Sequence, residues 1–447
     1  MESGFPLIML SLPLVAALLA LALGRWPRAA LGVGVVTLSL LTAVLWAASP
    51  TPGEGLLADN QAAIYERRLA LTPLVRGLFL FVYPTVAALL ALGWVFPNGR
   101  VTPYAALAML SPLAAALMVE PQGLGAVLLA VALALLLPAL HDARFAAAGA
   151  AWRYYLLAIL GLVPLIAVVW FQTGGQGGTA VAALLLATLI LFGGFPFHIG
   201  LRGLARTASP AALALTLGVA QLGVVAFLLA VLDAEPAARA AAEFQTALRG
   251  SAALTMLLAA FLVRREGEWR GIIAGVLLLD AGFLLASGLA PGAGGLAVAL
   301  TALAGRTLSL LLIAAGLGLP AGATSEGSFW RRGTTLRLML LTYGCLSLVG
   351  MPLTPGFAAR WEQMAILAGG GPAAAALGGL LVLSLAMAGW AVARQAREKA
   401  ASATTTVTAA VVTRGQWVTS LLLLGLAGLL GLWPGLLAAF AARLVGG

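Results

Sequence analysis

The sequence predicts an all-α integral membrane protein of about fourteen transmembrane helices. Three observations lead there. Of 447 residues, 62% are hydrophobic and 9% charged, with a mean hydropathy of +1.05, which excludes an ordinary soluble globular chain. Apolar runs of about 20 residues recur along the whole length, each long enough to cross a hydrocarbon core of roughly 30 Å as a helix. The connections between them are too short to fold a separate soluble domain, so residues 1–447 read as a single transmembrane domain.

In order, the spans read 5–24, 29–48, 71–95, 102–119, 122–140, 153–171, 179–198, 210–232, 248–263, 271–289, 295–316, 335–368, 373–393 and 416–441. The first has the length of a secretory signal, but it lacks a basic n-region and Arg25 and Arg28 follow it, so it reads as a retained helix. The twelfth is long because it is interrupted. Its middle, Gly350-Met-Pro-Leu-Thr-Pro-Gly356, cannot continue a hydrogen-bonded helix without rearrangement. Excursions fall at 49–70 and 233–247 on one side and at 317–334 and 395–415 on the other. The last, rich in Ala, Ser and Thr, reads as an extended or partly helical connector.

A net charge of +10 would suggest nucleic acid as the partner of a soluble chain, but here the charge sits in inter-helix loops and carries topology. Alternate loops beginning with 25–28 hold 17 of the 25 basic residues and the opposite side 6. That bias predicts an even number of spans in an inner (plasma) membrane with both termini outside, and lipid, not nucleic acid, as the surrounding partner. The single cysteine, Cys345, leaves disulfides, iron–sulfur ligation and a zinc cluster without ligands, and no dinucleotide fingerprint is present. No metal or cofactor is expected in this chain.

Ionisable residues deep in a bilayer are costly, and each is a functional candidate. They are His198, Asp280, Arg306, Arg360 and Glu362, with neutral Gln221 as a polar companion. His198 ends the seventh span in Phe195-Pro-Phe-His198, where its imidazole either relays protons or hydrogen-bonds loop carbonyls and locks the turn; the residues alone favour the lock. Asp280, in Gly275-Val-Leu-Leu-Leu-Asp-Ala-Gly282, must be protonated, paired or beside water, as a structural bond or part of a proton path. Arg306, in Ala302-Leu-Ala-Gly-Arg-Thr-Leu308, is a permanent cation that can bias a neighbour without carrying a proton, and its charge suits pairing with Asp280. Arg360 and Glu362 follow the break in the twelfth span, where freed backbone and water could hold charge; the competing reading is a pair that snorkels to the interface.

Several of these segments resemble the antiporter-like, proton-channel membrane subunits of NADH:quinone oxidoreductase (complex I), a superfamily shared with membrane-bound hydrogenases and multisubunit cation/proton antiporters. Phe195-Pro-Phe-His198 followed by Ala208-Ser-Pro210 resembles the family's "PFHxWLPDA…AP.PV" stretch. Gly350-Met-Pro-Leu-Thr-Pro-Gly-Phe-Ala-Ala-Arg360 looks like its "G.PPT.GF.GK" element. Weaker matches fall in order: Thr72-Pro-Leu74 with "DPLS", Trp152-Arg-Tyr-Tyr155 with "KYF", Arg270 to Gly282 with "KRLLAYSS…HMG", and Gly431-Leu-Trp-Pro434 with "G..P". Residues 70 to 435 are covered.

The resemblance implies two inverted five-helix repeats, at 102–232 and 248–393, preceded by helices 1–3 (1–101) and followed by a connector and last helix (394–447), with spans 7 and 12 broken at corresponding places. It places Asp280 at the family's histidine position and Arg360 at an ion-path position. It implies a membrane-arm subunit of a redox-driven proton-translocating complex, without catalysis of its own, whose redox cofactors lie in partner subunits. A non-conducting scaffold, or a subunit of a cation/proton antiporter or inorganic-carbon uptake complex, remain alternatives. Departures bear on mechanism. Lys399 is the only lysine; the family's lysines in spans 7 and 8 align with Leu191 and Gln221, no carboxylate occupies span 5, and the tryptophan, proline and aspartate of "HxWLPD" become Gly200, Arg202 and Gly203. Leucine cannot exchange a proton and glutamine only positions water, so an impaired or altered proton path is expected.

Overall fold

The computed structural model describes residues 5–47, 61–64, 67–96, 103–120, 122–140, 148–172, 177–287, 293–319, 332–402 and 412–446. Arg100, Arg144, Arg331 and most of the long connections invoked above lie outside them. The described elements run α1 (Phe5–Ala22), α2 (Pro27–Ala47), β1 (Gln61–Ile64), β2 (Arg67–Ala70), α3 (Pro73–Val95), α4 (Pro103–Met118), β3 (Val119–Glu120), α5 (Gln122–Leu140), α6 (Ala148–Gln172) and α7 (Gly177–Phe192). They continue with α8 (Ile199–Thr207), α9 (Pro210–Leu213), a π-helical stretch (Ala214–Ala220), α10 (Gln221–Ala234), α11 (Pro236–Ala240), α12 (Ala242–Arg265) and α13 (Trp269–Ser287). Then come α14 (Ala293–Gly318), α15 (Arg332–Val349), α16 (Phe357–Gly369), α17 (Pro372–Ser402), α18 (Arg414–Leu432) and α19 (Gly435–Gly446).

Ten of the described helices are long and apolar enough to cross a membrane, and four shorter apolar ones accompany them. Helix starts follow local chemistry. Thr72 accepts the Val75 N–H ahead of Pro73, Ser209 caps α9 ahead of Pro210, and Thr413 and Gln416 form a reciprocal capping box on α18. Two departures from the sequence reading stand out. The 49–70 excursion contributes two strands to a small antiparallel sheet, β1–β2–β3, with Gln61 opposite Ala70 and Leu69 opposite Val119, so the chain is not purely helical. The last span is two helices, because Pro434 stops α18 at Leu432. In keeping with a partly helical connector, the 395–415 stretch is helical as far as Ser402, where α17 ends.

Burial separates centre from periphery. The stretch Pro210–Ala234 is 94% buried, α13 94% and Ala297–Gly318 89%, against 22% to 56% for the other membrane-length helices. A helix apolar on all sides belongs inside a bundle, and these three are the inside. Peripheral helices present leucines outward, as with Leu18, Leu156, Leu383 and Leu422, the pattern of a surface facing lipid.

Two interruptions shape the interior. Between α7 and α8 the chain turns at Gly193 (φ +67°), with a cis Phe195–Pro196 bond, and between α15 and α16 at Gly350 (φ +85°) and Leu353 (φ +65°). Glycine takes such φ values freely, whereas Leu353 must be held there. Tyr343 Oη donates to its carbonyl at 2.6 Å, and Gly431 of α18 lies against the same carbonyl with no room for a side chain.

Candidate charge cluster at the centre of the bundle

Each of the three most buried helices delivers one polar side chain to a common point: Gln221 from α10, Asp280 from α13 and Arg306 from α14, at 2%, 1% and 2% exposure. A fourth, Arg360, comes from the first turn of α16 and is 4% exposed. The break before α16 is what brings it in. Gly350 lies against the aliphatic stem of Arg360, where a β-carbon would overlap the arginine Cγ, so a glycine is required both for φ and for space.

Asp280 is the hub. One carboxylate oxygen accepts from Arg306 Nε and the other from Arg360 Nη2. Arg306 Nη1 donates to Gln221 Oε1 at 2.8 Å, and Gln221 Nε2 donates back to the Leu191 carbonyl at 3.3 Å. Arg360 Nη1 donates to Gln363 Oε1 at 2.8 Å, its Nη2 also reaches the Leu348 carbonyl at 3.0 Å, and its guanidinium lies 4.2 Å from the centre of the Phe283 ring. Leu348 lies in the last turn of α15, whose carbonyls lose their helical partners at the break, so the interruption supplies an acceptor for the cation it admits.

Two arginines against one aspartate leave the cluster one positive charge in excess. Burial of that charge is offset by two amide oxygens, a carbonyl and an aromatic face. Arg306 Nη2, Arg360 Nε and Gln363 Nε2 have no hydrogen-bond partner among the described protein atoms. Beside Gln221 is a cavity with about 20 Å³ open to a water centre, lined by Tyr154, Leu191, Phe197 and Gly200 among others, and Tyr154 is within electrostatic reach of Arg306. That volume holds about one water.

The structure therefore joins Gln221, Asp280, Arg306 and Arg360 and leaves two candidates outside. Glu362 is half-buried and makes no ion pair among the described residues; the carboxylate beside Arg360 is Asp280, 80 residues away in sequence and not the near neighbour expected. Sequence proximity misled because Glu362 leaves α16 on a different side from Arg360, whereas three residues on, Gln363 shares its face. His198 sits at the first break, its ring stacked on Phe195 at 6.1 Å between centroids and 10° between planes. Gln363, Phe283 and Tyr154 were not among the sequence candidates. The spacing of three between Arg360 and Gln363 was the available signal for the first; nothing in the sequence pointed to the other two.

No protein-family model matches the sequence, and no curated protein sequence matches it. Solved structures do. A chain of the Mrp complex from Dietzia sp. DQ12-45-1b superposes with a TM-score of 0.78 at 15% identity, over 100% of this chain and 97% of that one. A chain of respiratory complex I from Thermus thermophilus gives 0.75 at 21% identity, over 99% and 100%. A chain of the membrane-bound sulfane sulfur reductase, an archaeal respiratory membrane complex, gives 0.77 at 15% identity, over 99% and 97%. The chain shares its fold with these three chains along its full length.

Proposed function

We propose that this chain is a membrane-arm subunit of a complex I-like, redox-driven proton-translocating assembly, and that its central cluster is a fixed electrostatic element in an altered proton path. The observation that carries the reading is the ion-paired set Arg306–Asp280–Arg360, buried where a broken helix meets the bundle centre. Interrupted helices near the midplane are where transporter folds place ion sites, and buried charge is retained in a membrane where it has work to do. On this reading the chain makes fourteen crossings in an inner membrane, with α7–α8, α9–α10, α15–α16 and α18–α19 each counted once and the five-residue α11 left out, and holds two inverted repeats at 102–232 and 248–393, with both termini outside. Catalytic redox centres and their cofactors belong to partner subunits.

The cluster is not a relay in itself. Guanidinium groups hold their protons, Asp280 is bound on both oxygens by cations, and a proton arriving there meets a net positive charge. Leu191 and Gln221 supply no titrating group on the approach. A scaffold that conducts nothing is the second reading, favoured by that same interruption, and assembly into an antiporter or inorganic-carbon uptake complex is a third. Mild-detergent purification through this chain, followed by mass spectrometry, tests the assignment: further membrane subunits with a redox module are expected, and antiporter subunits without one would favour the third reading. Reconstituted alone, the chain is expected to leak protons no faster than empty vesicles, as read by a pH-sensitive dye; robust conductance would refute the interrupted path.

A further inference from the structure

Away from the cluster, an apolar groove of about 550 Å³ runs along the outer face of α12, lined by Phe195, Leu254, Leu257, Phe261, Arg264 and Met387. It continues into a second hollow of about 400 Å³ bounded by Arg264, Met387 and Trp390 of α17. Leu254, Leu257 and Phe261 are each about half exposed, so this is an open surface and not an internal cavity.

Its length and its charge are both uneven in an informative way. From Leu254 to Arg264 is about ten residues of helix, roughly 15 Å at the α-helical rise, which is half the thickness of a hydrocarbon core. One end stops at the Phe195 turn between α7 and α8, against the middle of α12. The other opens on a basic rim: Arg264 and Arg265 are exposed, Arg265 lies 4.2 Å from the Phe261 ring centre, and Arg394 lies 5.2 Å from that of Trp390. Glu266, the carboxylate nearest in sequence, is already engaged by Arg202 and Arg206 at 3.3 and 2.9 Å. Arg394 holds α17 to the end of α12 through the Arg264 and Glu266 carbonyls, both at 3.0 Å, and so fixes the two walls of the groove at this rim. The guanidinium of Arg264 makes no bond among the described residues.

A groove one leaflet long, apolar along its floor and cationic only at its surface end, has the shape and polarity of one phospholipid. We propose that it is a specific site for an anionic phospholipid, the phosphate held by Arg264 with Arg265 and the acyl chain lying along Leu254, Leu257 and Met387 to Phe195. A partner helix would cross both leaflets and would bring no anion to the rim. Basic pockets between membrane helices bind anionic headgroups in this way.

The full chain, reconstituted in vesicles of equal parts phosphatidylglycerol and phosphatidylcholine and released into mild detergent, would be examined by native mass spectrometry. Retention of one phosphatidylglycerol in preference to phosphatidylcholine is expected. Arg264→Gln should weaken it about fivefold, the loss of about one surface cation's contribution. Met387→Trp, which fills the groove and leaves every charge in place, should weaken retention of both lipids. Equal retention of the two lipids by the unaltered chain, or retention unaffected by both substitutions, would overturn the proposal. A variant that fails to fold is recognised by its circular dichroism and replaced by Leu257→Trp.

Discussion

At Gly193–His198 and at Gly350–Gly356 a transmembrane helix is broken by similar means, glycine at positive φ followed within three residues by proline, yet the two breaks are closed by different chemistry. The first is closed by hydroxyls. Thr255 accepts the Phe195 N–H at 2.8 Å and Ser251 donates to the Phe195 carbonyl at 2.7 Å, both from α12. The second also uses a hydroxyl, with Ser347 accepting the Gly356 N–H at 3.3 Å, but adds Arg360 and through it Asp280, Arg306 and Gln221. Backbone groups freed by a break need partners inside a membrane, and neutral hydroxyls meet that need. A buried arginine does not follow from the break; it brings a desolvation cost of its own. The comparison thus locates the buried ion pairs in the second half, with Gln221 as the first-half side chain hydrogen-bonded to them among the described residues.

The strongest way to break that asymmetry is at the hub. Asp280→Asn removes the charge that both arginines share and leaves two buried cations facing an amide. Removing one partner of a buried pair costs about 3–5 kcal/mol, so loss of the folded or assembled subunit is expected, seen as a large fall in thermal stability in detergent or as absence from the purified complex. A complex containing Asp280→Asn at normal yield would mean that the cluster is far more hydrated than its burial indicates. Arg360→Gln should be milder, because Asp280 keeps Arg306 and the remaining pair is neutral. What is lost is the charged donation to Asp280, Leu348 and Gln363, which a glutamine replaces only in part, at about 1.5–3 kcal/mol for a charged hydrogen bond. The complex is expected to assemble, and its proton stoichiometry per electron pair to fall, because a fixed cation has left the path. Normal stoichiometry would leave Arg360 as a structural pin only.

Much of this arrangement was legible beforehand, and the reasons differ by residue. Membrane class and most helix positions follow from apolar runs of bilayer length, which nothing else in a sequence imitates. Asp280, Arg306 and Arg360 stood out because charge inside an apolar run is rare, and the opposite signs allowed Asp280 and Arg306 to pair without placing them in contact. That Arg360 joins them was hidden, since the contact spans 80 residues and depends on the direction in which α16 leaves the break. The Phe283 face and the Tyr154 cavity were hidden for a related reason: an aromatic in an apolar run carries no mark of the cation it will lie against. The small sheet escaped because its strands are only two to four residues long and one of them, Val119–Glu120, ends an apolar run. The division of the last span was written in Trp433-Pro434, but a single proline near a helix end is weaker punctuation than the pairs at Gly350–Gly356.

A smaller change sharpens the link between the halves. Gln221→Leu leaves Arg306 Nη1 without its acceptor and releases the Leu191 carbonyl, at about 1–2 kcal/mol. The subunit should still assemble with a lowered melting temperature. Gln221→Glu distinguishes support from conduction, since a carboxylate there would neutralise the cluster's excess positive charge. Stability is expected to recover towards the parent value in that variant, measured by the same unfolding assay. Recovery in Gln221→Leu as well would show that the amide matters little to Arg306.

The smallest effect is expected at His198, and it tests the asymmetry from the other side. The residue carries the only ring that titrates near neutral pH at either break, and the sequence left open whether it relays protons or locks a turn. In the structure its backbone carbonyl accepts the Arg202 N–H at 3.0 Å, starting α8, and its ring lies parallel to that of Phe195 and interacts with the Pro196 backbone, so the visible contributions are a helix start, an apolar stack and a contact within the turn. His198→Phe keeps the backbone bond and the stacking and removes both nitrogens. Stability should then change by no more than about 0.5 kcal/mol, as for substitutions away from buried networks. Proton stoichiometry of the assembled complex should not change, in contrast to Arg360→Gln. A fall in stoichiometry with assembly intact would mean that a proton passes through the first break after all, by way of an imidazole that no hydrogen bond joins to the central cluster, and the division of labour between the two halves would have to be abandoned.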